Sequence, residues 1–216
     1  MAGQDKTNDE GSIVVSGTGR VSVVPDVADL RLGVSVSSLT VDEARHHAAA
    51  KMTSILAAVE AAGIPKKDIQ TSLLSVQPRY DYRDGKPPEL SGYELANVVD
   101  VTVRDLAALG DVVDGSLKSG ATSMDSLTFR LADPAPAERE ARVLAVAEAR
   151  TRADVLAEAA GISITGVSSV VEDGAILPPR PFAKAERMMM AADSSTPVES
   201  GSLEVSVRVT VAYRTT

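Results

Sequence analysis

Ala28-Asp29-Leu30-Arg31-Leu32-Gly33-Val34-Ser35-Val36 is the stretch that decides the fold class of this chain. Ala28, Leu30, Leu32, Val34 and Val36 alternate with Asp29, Arg31, Gly33 and Ser35. A period of two sends successive side chains to opposite faces of a strand, so one face is apolar and the other polar. The pattern returns near the other end. There Leu203, Val205, Val207, Val209, Val211 and Tyr213 alternate with Glu204, Ser206, Arg208, Thr210 and Ala212. Such one-sided strands suit antiparallel sheets whose apolar face alone is covered. Upstream of the first stretch, Pro25 interrupts the run and marks an edge or a bulge, because proline cannot donate to a ladder.

Outward from these strands the periodicity changes. Thr40-Val41-Asp42-Glu43 has capping-box spacing, and Val41, Ala44, Ala48, Met52, Ile55 and Val59 follow at steps of three and four. Gly63 closes this helix as a left-handed cap. Ile69 to Val76 reads as a strand, and a turn-rich Asp84-Gly85-Lys86-Pro87-Pro88 leads to a long one. In that long strand Tyr93, Leu95, Val99, Val101 and Val103 share a face, with Asn97 the polar exception. A short helix covers 105–119. Leu127, Phe129 and Leu131 alternate along another strand, and Asp133-Pro134 starts an Ala-rich helix that stops at Gly161. A further strand covers about 163–171. Residues 173–200 read as a long loop.

The halves parallel one another. One helix exits through Ala61-Ala62-Gly63-Ile64 and the other through Ala159-Ala160-Gly161-Ile162, each followed by a strand, a loop and a long alternating strand. The reading is an α+β protein of two tandem strand–helix–strand–strand halves, mainly antiparallel sheets with helices packed on one face. Its expected divisions are a disordered polar tail at 1–12, a first half at 13–120 that includes the linking helix, and a second half at 121–216. An internal duplication is the expected origin.

Composition removes several function classes. Apolar residues make up 44% of the 216, enough for a core, but aromatics are only 3%. The core must be aliphatic, and single-stranded nucleic-acid binding lacks its stacking platforms. A net charge of −8 repels polyanions at long range. No cysteine is present, which excludes disulfides, thiolate chemistry and cysteine-ligated metals. No run of about 18 apolar residues occurs to span a membrane. Met1 to Glu10 is polar and acidic, unlike a signal peptide. The reading for the chain as given is cytoplasmic. Periplasmic or cell-envelope association is the alternative, if an export segment has been removed.

Motifs for catalysis are missing. Gly17-Thr18-Gly19 lacks the third glycine and the following helix of a dinucleotide fingerprint, so it reads as a hairpin or bulge. His46 and His47, the only histidines, point about 100° apart on a helix and cannot share one ion. Neither a Gly-x-Ser-x-Gly elbow nor a Ser-x-x-Lys motif occurs. No catalytic residue, metal site or cofactor is expected, and the enzyme alternative reduces to an uncharacterised hydrolase. The oddity is Met188-Met189-Met190, in a loop made locally basic by Arg180, Lys184 and Arg187. These six residues are candidate oligomer contacts, since methionine suits adaptable surfaces. The same loop could instead fold back over its own core.

Val15-Ser16-Gly17-Thr18-Gly19, then Val23-Val24-Pro25-Asp26 with Ala28, resembles the start of SIMPL-domain proteins. Gly120 to Leu127 with Phe129, the Ala-rich helix, and Gly201 before the closing strand are similar as well. The resemblance runs from about Ile13 to Tyr213. It implies a mostly bacterial family of unknown biochemical function, often periplasmic or envelope-associated, some of whose members form large homo-oligomers. It supplies no catalytic residues. The expected function is therefore a non-catalytic structural or interaction protein that self-associates into a homo-oligomer, with an unidentified protein partner also open. The alternative is a small-molecule binding module with a cleft between the halves.

Overall fold

The computed structural model describes residues 11–83, 87–173, 180–182 and 196–216. In chain order the elements are β1 (Ser12–Val23), β2 (Val27–Ser38), α1 (Val41–Ala61), β3 (Ile69–Asp81) and β4 (Glu89–Val103). They continue with α2 (Leu109–Lys118), β5 (Ser123–Arg130), α3 (Ala135–Ala160), β6 (Ile164–Glu172), β7 (Arg180–Phe182) and β8 (Ser202–Thr215). The strands form two sheets in which every pairing is antiparallel. The fold is α+β, as the alternating stretches imply.

One compact unit holds β2, β3, β4 and β5 with α1 and α2. Its sheet order is β3-β4-β2-β5. Ala28, Leu30, Leu32 and Val34 of β2 pack with Leu95, Val99, Val101 and Val103 of β4 beneath the Ala44, Ala48, Met52, Ile55 and Val59 stripe of α1. The cap reads as expected: Thr40 Oγ1 accepts from the Glu43 amide at 3.3 Å. Gly63 follows the helix at φ +90°, where a side chain would be strained.

The second unit holds β1, α3, β6, β7 and β8, with sheet order β1-β8-β6 and β7 beside β8. The alternation of β8 is realised in full, with Leu203 through Tyr213 buried at every second position. They meet an alanine at every fourth position of α3: Ala137, Ala141, Ala145, Ala149, Ala153 and Ala157. So small a side chain lets helix and sheet approach closely.

Three expectations need correction. Gly17-Thr18-Gly19 is no hairpin or bulge. β1 runs straight through it, paired with β8 from Ser12 to Val23. The glycines are there for contact. A Cβ on Gly17 would lie 2.0 Å from the Ala145 carbonyl oxygen, and one on Gly19 1.8 Å from that of Ala141. Next, the packing units are not the contiguous halves 13–120 and 121–216. β5 precedes α3 in sequence yet pairs with β2, and β1 fills the slot beside β8. The two sheets then share one order: the strand after the helix, the long strand, and a strand from further upstream. Finally, the 173–200 loop is broken by β7, which pairs with Ser202, Leu203 and Glu204. Of the tail expected at 1–12, residues 1–10 lie outside the described residues, the Gly11 carbonyl accepts from the Thr215 amide at 2.9 Å, and Ser12 already belongs to β1.

Candidate interaction surface

α1 and α3 each pack on two strands of their sheet, and neither pair includes the strand that follows the helix. α1 packs on β2 and β4, and α3 packs on β1 and β8. The strands that follow the helices, β3 and β6, overhang as sheet edges. On the α1 side of β3, Leu74 lies opposite Asn97 and Val76 opposite Leu95. They carry the apolar face of the core outward, yet Leu74 is 67% exposed and Val76 45%. Tyr80 and, on the other face, Leu73 are exposed too. In β6, Val167 and Val170 sit opposite Tyr213 and Val211 and are likewise exposed. Apolar side chains on an open strand edge mark a place where another chain can pair.

β1 is treated differently. Its edge is met by two side chains of α3. The Thr18 amide donates to Glu148 Oε2, and the Ser16 carbonyl accepts from Arg152 Nη1 at 2.8 Å. Glu148 and Arg152 pair with each other at 2.7 Å. The Thr18 amide, with Arg152 beside it, holds the Glu148 carboxyl below the usual range. Side chains thus stand in for a neighbouring strand in the middle of β1.

The polar face of the β3-β4-β2-β5 sheet is stitched by arginine–carboxylate forks. Arg31 grips Asp100 at 2.8 and 3.3 Å. Arg104 grips Asp68 at 3.2 and 3.0 Å. Arg130 grips Asp29, which also accepts from Thr102 Oγ1 at 2.9 Å. The arginine hydrogen bonds hold the carboxyls of Asp29, Asp68 and Asp100 below their ordinary values. A carboxylate so held is a poor proton acceptor near neutral pH, and its lone pairs are spent on cross-strand contacts. A shallow depression of about 220 Å³ lies on this face, between Asp29, Arg31, Asp100, Ser126 and Thr128.

The remaining sequence candidates disperse. His46 and His47 are both exposed; His46 Nδ1 rests near Asp42 at 3.6 Å. Among the described residues no three acidic or histidine side chains gather as a metal set. Arg180 opens β7, in register with Glu204. Lys184, Arg187, Met188, Met189 and Met190 lie outside the described residues. Asn97, the polar exception in β4, has a buried Oδ1 without a partner among the described residues. Sequence reasoning missed the overhang of β3, although adjacent Leu73 and Leu74 put an apolar side chain on each face. An open recess of about 410 Å³ is lined by Val15, Ser16, Thr151, Arg152, Val155 and Leu156.

Comparison with known proteins accords with the resemblance. The SIMPL profile, described as a protein of unknown function (DUF541), matches residues 13–213. The chain is 34% identical over 214 residues to the 26 kDa periplasmic immunogenic protein of Brucella melitensis, covering 96% of this chain and 86% of that one. It is 34% identical over 183 residues to the uncharacterized protein YggE of Escherichia coli K12, covering 85% and 72%. No helix among the described residues is long and apolar enough to cross a membrane. With the profile matched across nearly its whole length, from β1 to β8, the chain belongs to the SIMPL family.

Proposed function

We propose that this chain is a non-catalytic structural or interaction protein that works as a homo-oligomer, self-associating through its open strand edges. The observation that carries the reading is the overhang of β3 and β6, whose apolar side chains extend beyond the helices that cover their neighbours. An uncovered edge of this kind is a liability in an isolated chain and a template in an assembly. The relatives called periplasmic favour the periplasmic or envelope alternative over the cytoplasmic reading. Light scattering on the size-separated protein at high micromolar concentration should give a multiple of the chain mass. A strictly monomeric mass would end the proposal.

The second reading is a small-molecule binding module, and the apolar recess beside α3 favours it. Val15, Val155 and Leu156 would hold an aliphatic group, with Arg152 at the rim. The recess lies within one unit, not in the expected cleft between halves. Aliphatic carboxylates should raise the melting temperature of the wild-type chain and not of a Val155→Arg variant. No shift across a chain-length series would discard this reading.

A further inference from the structure

β2 stops before its neighbour does. Its last ladder pair sets Ser38 opposite Tyr93, while β4 extends from there through Gly92 to Glu89 beside β3 alone. The space left next to Ser91 and Gly92 is a cup of about 240 Å³. Ser37, Ser38 and Leu39 line it from the end of β2, Arg79 from β3, and Ser91, Gly92 and Tyr93 from β4. We propose that this cup binds the phosphate group of a small phosphate monoester; self-association plays no part in it. The backbone here is shaped for a purpose other than pairing. Gly92 has φ +145°, a conformation that side chains oppose, and a Cβ there would stand 2.6 Å from the Ser38 carbonyl oxygen. A register shift between Arg79 and Tyr80 leaves Ser91 without a ladder partner in β3. Bulges of this kind re-aim side chains and are common beside functional sites.

The donors fit an oxyanion. Neighbouring acids are engaged elsewhere: Asp81 pairs with Arg83 at 2.8 Å, and Glu94 accepts from Ser35 Oγ at 2.7 Å. Arg79 is thus left without an ion-pair partner among the described residues, unlike the arginines of the forks on the same sheet. Its guanidinium offers a planar fork of N–H donors, the geometry that matches phosphate oxygens. Ser37 and Ser38 add hydroxyl donors from the β2 side. Ser91 has a different part. Its Oγ donates to the Arg79 carbonyl at 3.1 Å, which fixes the rim and leaves the oxygen as an acceptor for a ligand hydroxyl. Leu39, 78% exposed, and the partly buried Tyr93 form an apolar wall for the organic part of an ester. The cup is smaller than the usual pocket for a drug-sized molecule, so the ester is a short one. The net charge of −8 opposes the approach of an anion at a distance. With a Debye length of about 8 Å at physiological salt, the groups in contact decide binding.

Amide NMR titrations of the full chain at constant ionic strength test the site, with glycerol phosphate, inorganic phosphate and glycerol as probes. Glycerol phosphate should move the Ser38, Ser91, Gly92 and Tyr93 amides along one saturable curve. Inorganic phosphate should move the same amides with about threefold or more weaker affinity, and glycerol alone should move none. Arg79→Gln, an exposed substitution, should weaken binding of glycerol phosphate about tenfold or more, as loss of a charge-assisted hydrogen bond does, while amides outside the cup keep their positions. Ser37→Ala keeps the cation and should weaken binding about threefold. Shifts that rise without saturating, or that spread over the forks at Arg31, Arg104 and Arg130, would overturn the site. Unchanged affinity in both Arg79→Gln and Ser37→Ala would do the same. Inorganic phosphate bound as tightly as the ester would overturn the assignment to a monoester. None of these outcomes bears on the oligomeric state, which light scattering reads separately.

Discussion

Replacing Gly19 by alanine tests the close approach of α3 to β1, and the size of the effect follows from the geometry. A Cβ at Gly19 would stand 1.8 Å from the Ala141 carbonyl oxygen and 2.6 Å from the Ala145 amide nitrogen. Real Cβ atoms essentially never come within 3.0 Å of such a neighbour, and ordinary contacts lie at 3.4–4 Å. Both colliding atoms belong to the helix backbone, so no rotamer change relieves the clash. The helix must lift, and the alanine stripe from Ala137 to Ala157 parts from β8 along with β1. Overpacking in a tight core commonly costs about 1–3 kcal/mol; here, with backbone on both sides, about 3 kcal/mol is expected. If the chain unfolds as one transition, that lowers the melting temperature by roughly 6–12 °C. The control is the same substitution at Gly115, inside α2, where the new Cβ would meet Ala58 Cβ at an ordinary 3.8 Å. There alanine should stabilise by about 0.5–1 kcal/mol, because glycine is the poorer helix former. Urea denaturation followed by circular dichroism reads both. Gly19→Ala within about 0.5 kcal/mol of wild type, or a Gly115→Ala loss equal to it, would refute the reasoning.

Two further outcomes are expected. Arg130 holds the Asp29 carboxyl below its ordinary value, so the stability this pair contributes is present above the unfolded carboxyl pKa and is lost as pH falls through the lower folded value. In Arg130→Gln the Asp29 titration, followed by carboxyl-carbon NMR, should move upward, and the acid limb of the stability profile should begin at higher pH; an unmoved titration would contradict the assignment. Glu148→Ala should speed hydrogen exchange at the Thr18 amide about tenfold or more, with exchange at Val207 and Val209 in the adjoining strand unchanged, since only the edge bond is removed. Equal acceleration throughout β1 and β8 would mean that Glu148 supports the sheet as a whole.

The sequence made the apolar faces legible and left the strand neighbours hidden, for a physical reason. Ala28 to Val36 and Leu203 to Tyr213 announce their pleat because each position is sorted by water on one side and core on the other. Thr40 and Gly63 announce the ends of α1 because a cap is a local requirement. Which strand lies beside which is not local. β5 stands next to α3 in the chain and fits the strand–helix order, yet its ladder partner is β2, a choice set by long-range pairing. Gly17 and Gly19 misled in the same way. Glycine in a strand means either a turn or a close neighbour, and the neighbour lies more than a hundred residues along the chain.

The exchange of β1 and β5 bears on the interaction surface as well. A strand slot beside the long strand exists in each sheet; β2 fills it in one and β1 in the other. Among the described residues no strand lies along the outer edge of β1, and α3 supplies Glu148 and Arg152 there instead. β2 needs no such cap, since β5 lies along its outer side. At the opposite border of each sheet the strand after the helix stays bare, and there no helix side chain among the described residues reaches the backbone edge. The same two-strand helix footprint thus leaves the strand after the helix open in each sheet, while the β1 border of the β1-β8-β6 sheet is capped by α3. Selection against random aggregation would act on all borders alike. Among the described residues, β1 carries such protection and β3, uncharged from Ile69 to Pro78, does not.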